Sequence, residues 1–76
     1  MAELRWEDYE KYSVLTGTDA QVRFRRAIEQ WIARASFMGV AATFSDRAAA
    51  KRAIEAQLIR RCRAELAALE ALHAAR

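Results

Sequence analysis

A chain of 76 residues is long enough for one small domain and too short for two, because a chain of this size buries only about 60% of its unfolded surface. It has no proline, two glycines and eighteen alanines, a composition that favours helices. The net charge is +3, with the acids concentrated in residues 1–20 and the bases beyond them. This distribution suggests that the N-terminal segment folds back on the basic helices of its own chain or meets a different partner, and the basic part suits a nucleic acid.

The cysteine count and the hydropathy pattern indicate the compartment in which the protein is expected. A single cysteine, Cys62, cannot form an internal disulfide, so a reducing compartment is expected. Residues 1–5 do not have the basic region and apolar region of a signal peptide. The most apolar stretch, residues 31–44, is shorter than the ~20 residues of a membrane-spanning helix and is interrupted by Arg34. We therefore predict a cytoplasmic protein with no membrane partner.

The first predicted element is a short helix over about residues 4–15. Aromatic side chains recur there at three-residue spacing from Trp6 to Tyr12, which places them on one side of a helix. Gly17 is expected to end this helix, because glycine adopts the left-handed conformation of a helix C-terminus without a Cβ clash.

The second predicted element is a helix over about residues 19–42. Thr18 and Gln21 match the capping box, in which Thr and Gln side chains satisfy each other's backbone amides. Apolar residues then recur at alternating steps of four and three, the spacing of a helix that packs along another. They are Phe24, Ile28, Trp31, Ala35, Met38 and Ala42. Gly39 either ends this helix or lies within it.

The third predicted element is a long helix over about residues 46–75. Ser45 supplies an N-cap and Asp46 a first-turn acid, and no helix breaker follows. The pattern as a whole predicts an all-α, three-helix arrangement in a single domain over residues 1–76. In it, a short N-terminal helix precedes a long antiparallel helical hairpin.

Catalytic chemistry is not indicated by the sequence. The single histidine, His73, lies eleven positions from Cys62 in the same predicted helix, so a nucleophile and a base do not meet within one chain. The sequence has no metal-binding motif, no paired cysteines and no glycine-rich phosphate loop. We predict a protein that is not an enzyme and has no metal or cofactor.

Two surfaces are candidate contact sites for a partner. Arg52, Arg60 and Arg63 share the outer face of the third predicted helix, which suits an acidic partner or a phosphate backbone; the alternative is a solvated helix face. The second surface is a predicted exposed elbow from Phe37 to Glu55, in which Phe37 is either a partner anchor or a residue covered by the first helix. The elbow contributes Phe37, Phe44, Arg47 and Lys51 as candidates.

The predicted function is that of a small, non-enzymatic protein–protein interaction module, such as an adaptor, inhibitor or structural subunit. Its size also suits a viral or mobile-element protein. The expected partner is a second copy of the chain or an acidic protein surface. The alternative is a nucleic-acid-binding protein that uses the arginine-rich helix face, although acids intersperse the bases there.

Overall fold

The protein has a mixed α/β fold in a computed structural model that describes residues 4–75. Residues 1–3, which include most of the start that lacks a signal-peptide pattern, and Arg76 lie outside the described residues. Five strands precede one helix: β1 (Trp6–Asp8), β2 (Tyr12–Leu15), β3 (Gln21–Arg25), β4 (Gln30–Arg34), β5 (Ala42–Phe44) and α1 (Arg47–Ala74). The prediction of an all-α, three-helix arrangement is therefore wrong.

The five strands form one antiparallel sheet in the order of the chain, with each strand hydrogen-bonded to the next. Val22 on β3 lies between Ser13 on β2 and Ala33 on β4, and all three are fully buried. The helix packs across this face of the sheet and contributes Ala50 and Ile54 to the core. The other face of the sheet is not covered by the helix.

The segment predicted as the first helix contains two strands because its side chains alternate between the two faces of the sheet. Ser13 and Leu15 are buried, whereas Tyr12 and Val14 are half-buried on the opposite face. This period of two outweighs the three-residue spacing of the aromatic side chains, which do not share one face: Trp6 packs against the core, whereas Tyr9 lies between β1 and β2 and stacks on Tyr12. Gly17 does adopt a positive φ of 82°, but in the turn between β2 and β3.

The segment predicted as the second helix contains β3, β4 and β5. The Thr18 hydroxyl accepts a hydrogen bond from the Ala20 amide and donates one to the Leu15 carbonyl. It therefore stabilises a turn and not a helix start, since the same short side chain serves both local structures. The heptad-like spacing arose from residues on different strands, such as Phe24 on β3 and Trp31 on β4, which pair across the sheet.

The single helix of the described residues begins one residue later than the sequence suggested. Asp46, and not Ser45, is the N-cap, and its Oδ1 accepts a hydrogen bond from the Ala49 amide at 2.6 Å. The helix contains 28 residues and so extends about 42 Å. No helix among residues 4–75 is both long and apolar enough to cross a membrane.

The molecule is elongated because the helix is longer than the sheet that it covers. Its extents are 53 × 23 × 16 Å, and its radius of gyration is 14.9 Å. A compact chain of this length would have a radius of gyration of about 11 Å. The last helical residue that packs on the core is Leu58. We call residues 59–75, which follow it, the arm.

Candidate interaction surfaces

Every residue of the arm is exposed. Four large apolar side chains are among them: Ile59 is 53% exposed, Leu66 56%, Leu69 62% and Leu72 55%. Residues three and four apart on a helix are neighbours on its surface, so these side chains form one apolar stripe, with Cys62 between Ile59 and Leu66. A contiguous apolar surface of this kind is typical of an interaction site.

The stripe lies on the same side of α1 that β1 covers in the first half of the helix. Lys51 and Leu69 are eighteen positions apart, which is five turns, and Glu55 and Leu66 are eleven apart, close to three turns. Lys51 forms an ion pair with Asp8 on β1, and Glu55 accepts a hydrogen bond from the Trp6 indole at 3.4 Å. The sheet therefore covers this side of the helix up to Leu58, and the arm leaves it open.

A shallow apolar hollow marks the junction between the sheet and the arm. Its volume is about 310 Å³, and nearly all of its lining is apolar. The hollow is lined by Leu4, Leu58, Ile59, Cys62, Arg63 and Leu66. It is wide enough for an aliphatic side chain that approaches along the stripe.

Charged residues flank the stripe on both sides. With about 100° of rotation per residue, Arg63 and Glu70 lie along one flank and Glu65 along the other. The Glu65 carboxylate is 3.1 Å from Nε of Arg61 in an exposed ion pair. Within residues 4–75, Arg63 and Glu70 have no ion-pair partner, so both charges are available to a second molecule.

The arginines predicted to form an outer helix face do lie on one side of α1. Arg52, Arg60 and Arg63 are all exposed, and the helix places them away from the sheet. None of the three forms an ion pair within the described residues. Their role in binding a partner stays a prediction.

The predicted elbow is not fully exposed, because its two aromatic residues pack against the core. Phe37 and Phe44 are half-buried and pack against the core. The guanidinium of Arg47 lies 4.3 Å from the Trp31 ring centre and donates a hydrogen bond to the Glu10 carbonyl. These side chains join the helix start to the sheet, and a role in partner binding stays a prediction for them as well.

Lys51 and Glu55 are charged residues on the side of α1 that faces the sheet, and both have partners on β1. Lys51 Nζ is 2.5 Å from Asp8 Oδ1 and 5.4 Å from the centre of the Trp6 ring. The hydrogen bond from Lys51, followed by that from the Ser13 hydroxyl, holds the pKa of Asp8 below its usual 3.8. These charges therefore attach the first strand to the helix.

The uncovered face of the sheet is a basic surface that the helix-based prediction missed. Arg23 and Arg25 on β3 and Arg34 on β4 point to this face and are exposed. The Arg23 guanidinium lies 5.3 Å from the Tyr12 ring centre, and Tyr12 stacks on Tyr9 with ring centres 4.5 Å apart. The polar and apolar alternation of residues 21–25 was the signal that could have located it.

Among residues 4–75, no group of three His, Cys, Asp or Glu side chains is arranged to hold a metal ion. Cys62 is a free, exposed thiol on the arm. Comparison of the chain with protein-family models, with curated proteins and with solved structures found no match.

Proposed function

We propose that the chain is a non-enzymatic protein–protein interaction module that binds its partner with the arm. The single observation that carries this proposal is the exposed stripe of Ile59, Leu66, Leu69 and Leu72 on the part of α1, about 25 Å long, that follows the last core residue, Leu58. These side chains contribute nothing to the core of the chain. They are available to stabilise a complex.

The apolar side chains of the stripe are large enough to stabilise a complex. Burial of one leucine contributes about 1.5–3 kcal/mol relative to exposure, and four such side chains lie within five turns. A helix laid against this stripe would remove them from water together. Helix-in-groove and helix-on-helix recognition both use anchors at the three- and four-residue spacing found here.

The arm is also suited to binding because it loses little conformational freedom when it binds. Helix nucleation is unfavourable and elongation is easy, and the half of α1 packed on the sheet already supplies the nucleus. Six of the seventeen arm residues are alanine, the strongest helix former. A preformed helix avoids most of the ordering cost that a disordered segment incurs on binding.

The proposed compartment is the cytoplasm. The exposed thiol of Cys62 has no cysteine partner within the chain, and a reducing compartment keeps such a thiol free.

Site-specific photocrosslinking in cells tests the proposal. A photoreactive amino acid is placed at Leu69 or at Leu72, and matched controls carry it at Ala64 or Ala71, on the opposite side of the helix. We expect a discrete protein adduct from the stripe positions and none from the control positions. Absence of any protein adduct at Leu69 and Leu72 would contradict the proposal.

A second candidate function is single-stranded nucleic-acid binding on the uncovered sheet face. It is favoured by Arg23, Arg25 and Arg34, which have no ion-pair partner within the described residues, beside the exposed ring of Tyr9. Guanidinium groups bind phosphates, and aromatic rings stack on bases.

Fluorescence anisotropy with a labelled oligothymidine at low salt tests this candidate. Replacement of the three sheet arginines by glutamine should abolish binding, and the salt slope of the unmodified chain should be about −2 for three phosphate contacts. The control replaces Arg52, Arg60 and Arg63 by glutamine, with the same loss of charge on the helix. Equal losses of affinity in both variants would show that binding depends on net charge and not on a site on the sheet face.

A further inference from the structure

We propose that the partner of the arm is a second copy of this chain, with the two arms packed antiparallel. This inference rests on the proposed function, because it requires the stripe to be a protein-binding surface. It adds the identity of the partner, the direction of the two helices and their register.

The position of β1 selects the antiparallel direction. Two parallel arms that met along the stripe would continue side by side towards Glu55 and Lys51. That side of each helix is occupied by Trp6 and Asp8 of its own β1. In an antiparallel pair, each arm instead ends where the sheet of the other begins, so both stripes are covered without a collision between the sheets.

The stripe also defines a register. Leu66 of one copy lies opposite Leu69 of the other, and Cys62 lies opposite His73, which follows the alternating layers of an antiparallel helix pair. In this register the two arms overlap over almost their whole length, about 25 Å. Leu72 of the second copy then approaches the hollow beside Arg63 and Leu66.

The flanking charges agree with this direction. In an antiparallel pair the flank that carries Arg63 and Glu70 faces the same flank of the second copy. Two Arg63 to Glu70 pairs then form by symmetry, from charges that have no ion-pair partner within the described residues of one chain. A parallel pair would instead bring Glu65 of one chain towards Glu70 of the other, a repulsive contact.

The size of the contact predicts a weak dimer. A single helix pair of about 25 Å lies at the small end of specific interfaces. We therefore expect a reversible monomer–dimer equilibrium with a dissociation constant on the order of 10 µM, seen as a concentration-dependent mass.

Sedimentation equilibrium of the full chain from about 1 µM to about 1 mM measures this equilibrium. The expected mass rises from 8.7 kDa towards twice that value. Leu69→Glu should weaken the dimer at least about thirtyfold, because it places a charge at the centre of the apolar contact. Ala71→Glu, the same change on the outer side, should leave the constant within about twofold. A monomer throughout this range would overturn the proposal.

Charge reversal tests the direction of the helices. Arg63→Glu alone replaces each of the two Arg63–Glu70 pairs by a repulsive contact between two glutamates and should weaken the dimer about tenfold. Glu70→Arg alone creates two repulsive contacts between arginines and should weaken the dimer by a similar factor. The double variant restores both attractive pairs and should return the constant to within about threefold of the original. Failure of the double variant to recover would overturn the antiparallel arrangement.

Disulfide formation tests the register independently. The two Cys62 thiols of an antiparallel pair lie about 16 Å apart along the helices, beyond the reach of a disulfide. The unmodified chain should therefore stay monomeric on a non-reducing gel after mild oxidation. His73→Cys should give a covalent dimer, and Ala71→Cys should not. A covalent dimer of the unmodified chain through Cys62 would overturn the proposal.

These measurements separate the two proposals. A chain that stays monomeric at about 1 mM, yet gives a photocrosslinked adduct with a different protein from Leu69, would overturn self-association and leave the interaction module intact. A chain that gives no adduct at the stripe and no dimer would overturn both.

Discussion

Lys51 reaches from the helix to Asp8 on the first strand, and its Nζ atom lies 2.5 Å from Oδ1 of that carboxylate. The lysine side chain is only 19% exposed, whereas the aspartate is 52% exposed. Asp8 also accepts a hydrogen bond from the Ser13 hydroxyl at 2.7 Å, and Ser13 is fully buried. The edge strand β1 is therefore attached to the helix by a partly buried ion pair as well as by the packing of Trp6 against the core.

A double-mutant cycle should detect this attachment. Asp8→Asn and Lys51→Met each remove the ion pair, and we expect a coupling free energy of about 0.5–1 kcal/mol between them in urea unfolding. The control cycle uses Arg61→Gln and Glu65→Gln on the arm, where both partners are more than half exposed. Its coupling should be about 0.3 kcal/mol or less. Equal couplings in the two cycles would show that partial burial of Lys51 does not strengthen its ion pair.

The stability of the fold should fall in acid because of Asp8 and Asp19. The Ser36 amide and hydroxyl donate hydrogen bonds to the Asp19 carboxylate at 3.1 Å and hold its pKa below the usual 3.8. Lys51 and Ser13 lower the pKa of Asp8 in the same direction. A lowered pKa in the folded state means that the contribution is complete above the unfolded value of about 3.8 and is lost as pH falls through the folded value.

Urea unfolding between about pH 5 and about pH 2 measures this loss, and side-chain NMR titration assigns it to each carboxyl. Asp19→Asn should flatten part of the profile, since the amide does not titrate. Glu10→Gln is the matched control, because the Glu10 carboxylate is exposed and forms no hydrogen bond or ion pair within the described residues. A profile that Asp19→Asn leaves unchanged would contradict the role of the Ser36 contacts.

The long C-terminal helix was indicated by the sequence because its local signals agree with its packing. Eleven of the eighteen alanines fall in residues 47–75, and a capping residue precedes them. The same alanines raised the helix propensity averaged over the whole chain. That average concealed residues 5–44, which carry all the aromatic, valine and threonine side chains.

The strands were missed because spacing was given more weight than alternation. Residues Gln21 to Arg25 alternate polar and apolar side chains in strict period two, which is the pattern of a half-buried strand. Ala35, Met38 and Ala42 completed an apparent heptad repeat, although the residues of that repeat lie on three different strands and in the segments between them. Tertiary pairing across the sheet, as between Val22 and Ala33, overrode that local pattern, and one-dimensional spacing does not contain this information.

The candidate surfaces were partly accessible to sequence reasoning. Leu66, Leu69 and Leu72 recur at three-residue spacing, so the sequence alone places them on one side of the C-terminal helix. The sequence does not show that Leu58 is the last helix residue packed on the core. That position depends on the length of the strands and on the angle at which the helix crosses the sheet. The basic sheet face was inaccessible once its strands had been interpreted as helix.

Truncation of apolar side chains should distinguish the core from the arm. Ile54 is fully buried, so Ile54→Ala should cost about 2–4 kcal/mol of unfolding free energy. Leu69 is 62% exposed, and Leu69→Ala should change the stability of the monomer by less than about 0.5 kcal/mol. Denaturation at about 1 µM protein keeps the chain monomeric for this comparison. A large loss from Leu69→Ala at that concentration would show that the arm packs on its own body.

The turn between β3 and β4 holds a backbone conformation that glycine would relieve. Glu29 has a φ of 51°, a left-handed value, and is the only residue other than glycine with positive φ among the described residues. The left-handed conformation costs an L-residue roughly 1–2 kcal/mol, and glycine avoids this cost but loses more entropy on folding. Glu29→Gly should therefore raise the unfolding free energy by about 0.5–1 kcal/mol in thermal or urea denaturation. Glu29→Ala removes the same charged side chain, keeps the Cβ atom and should give no gain, so a gain shared by both variants would assign the effect to charge and not to the backbone.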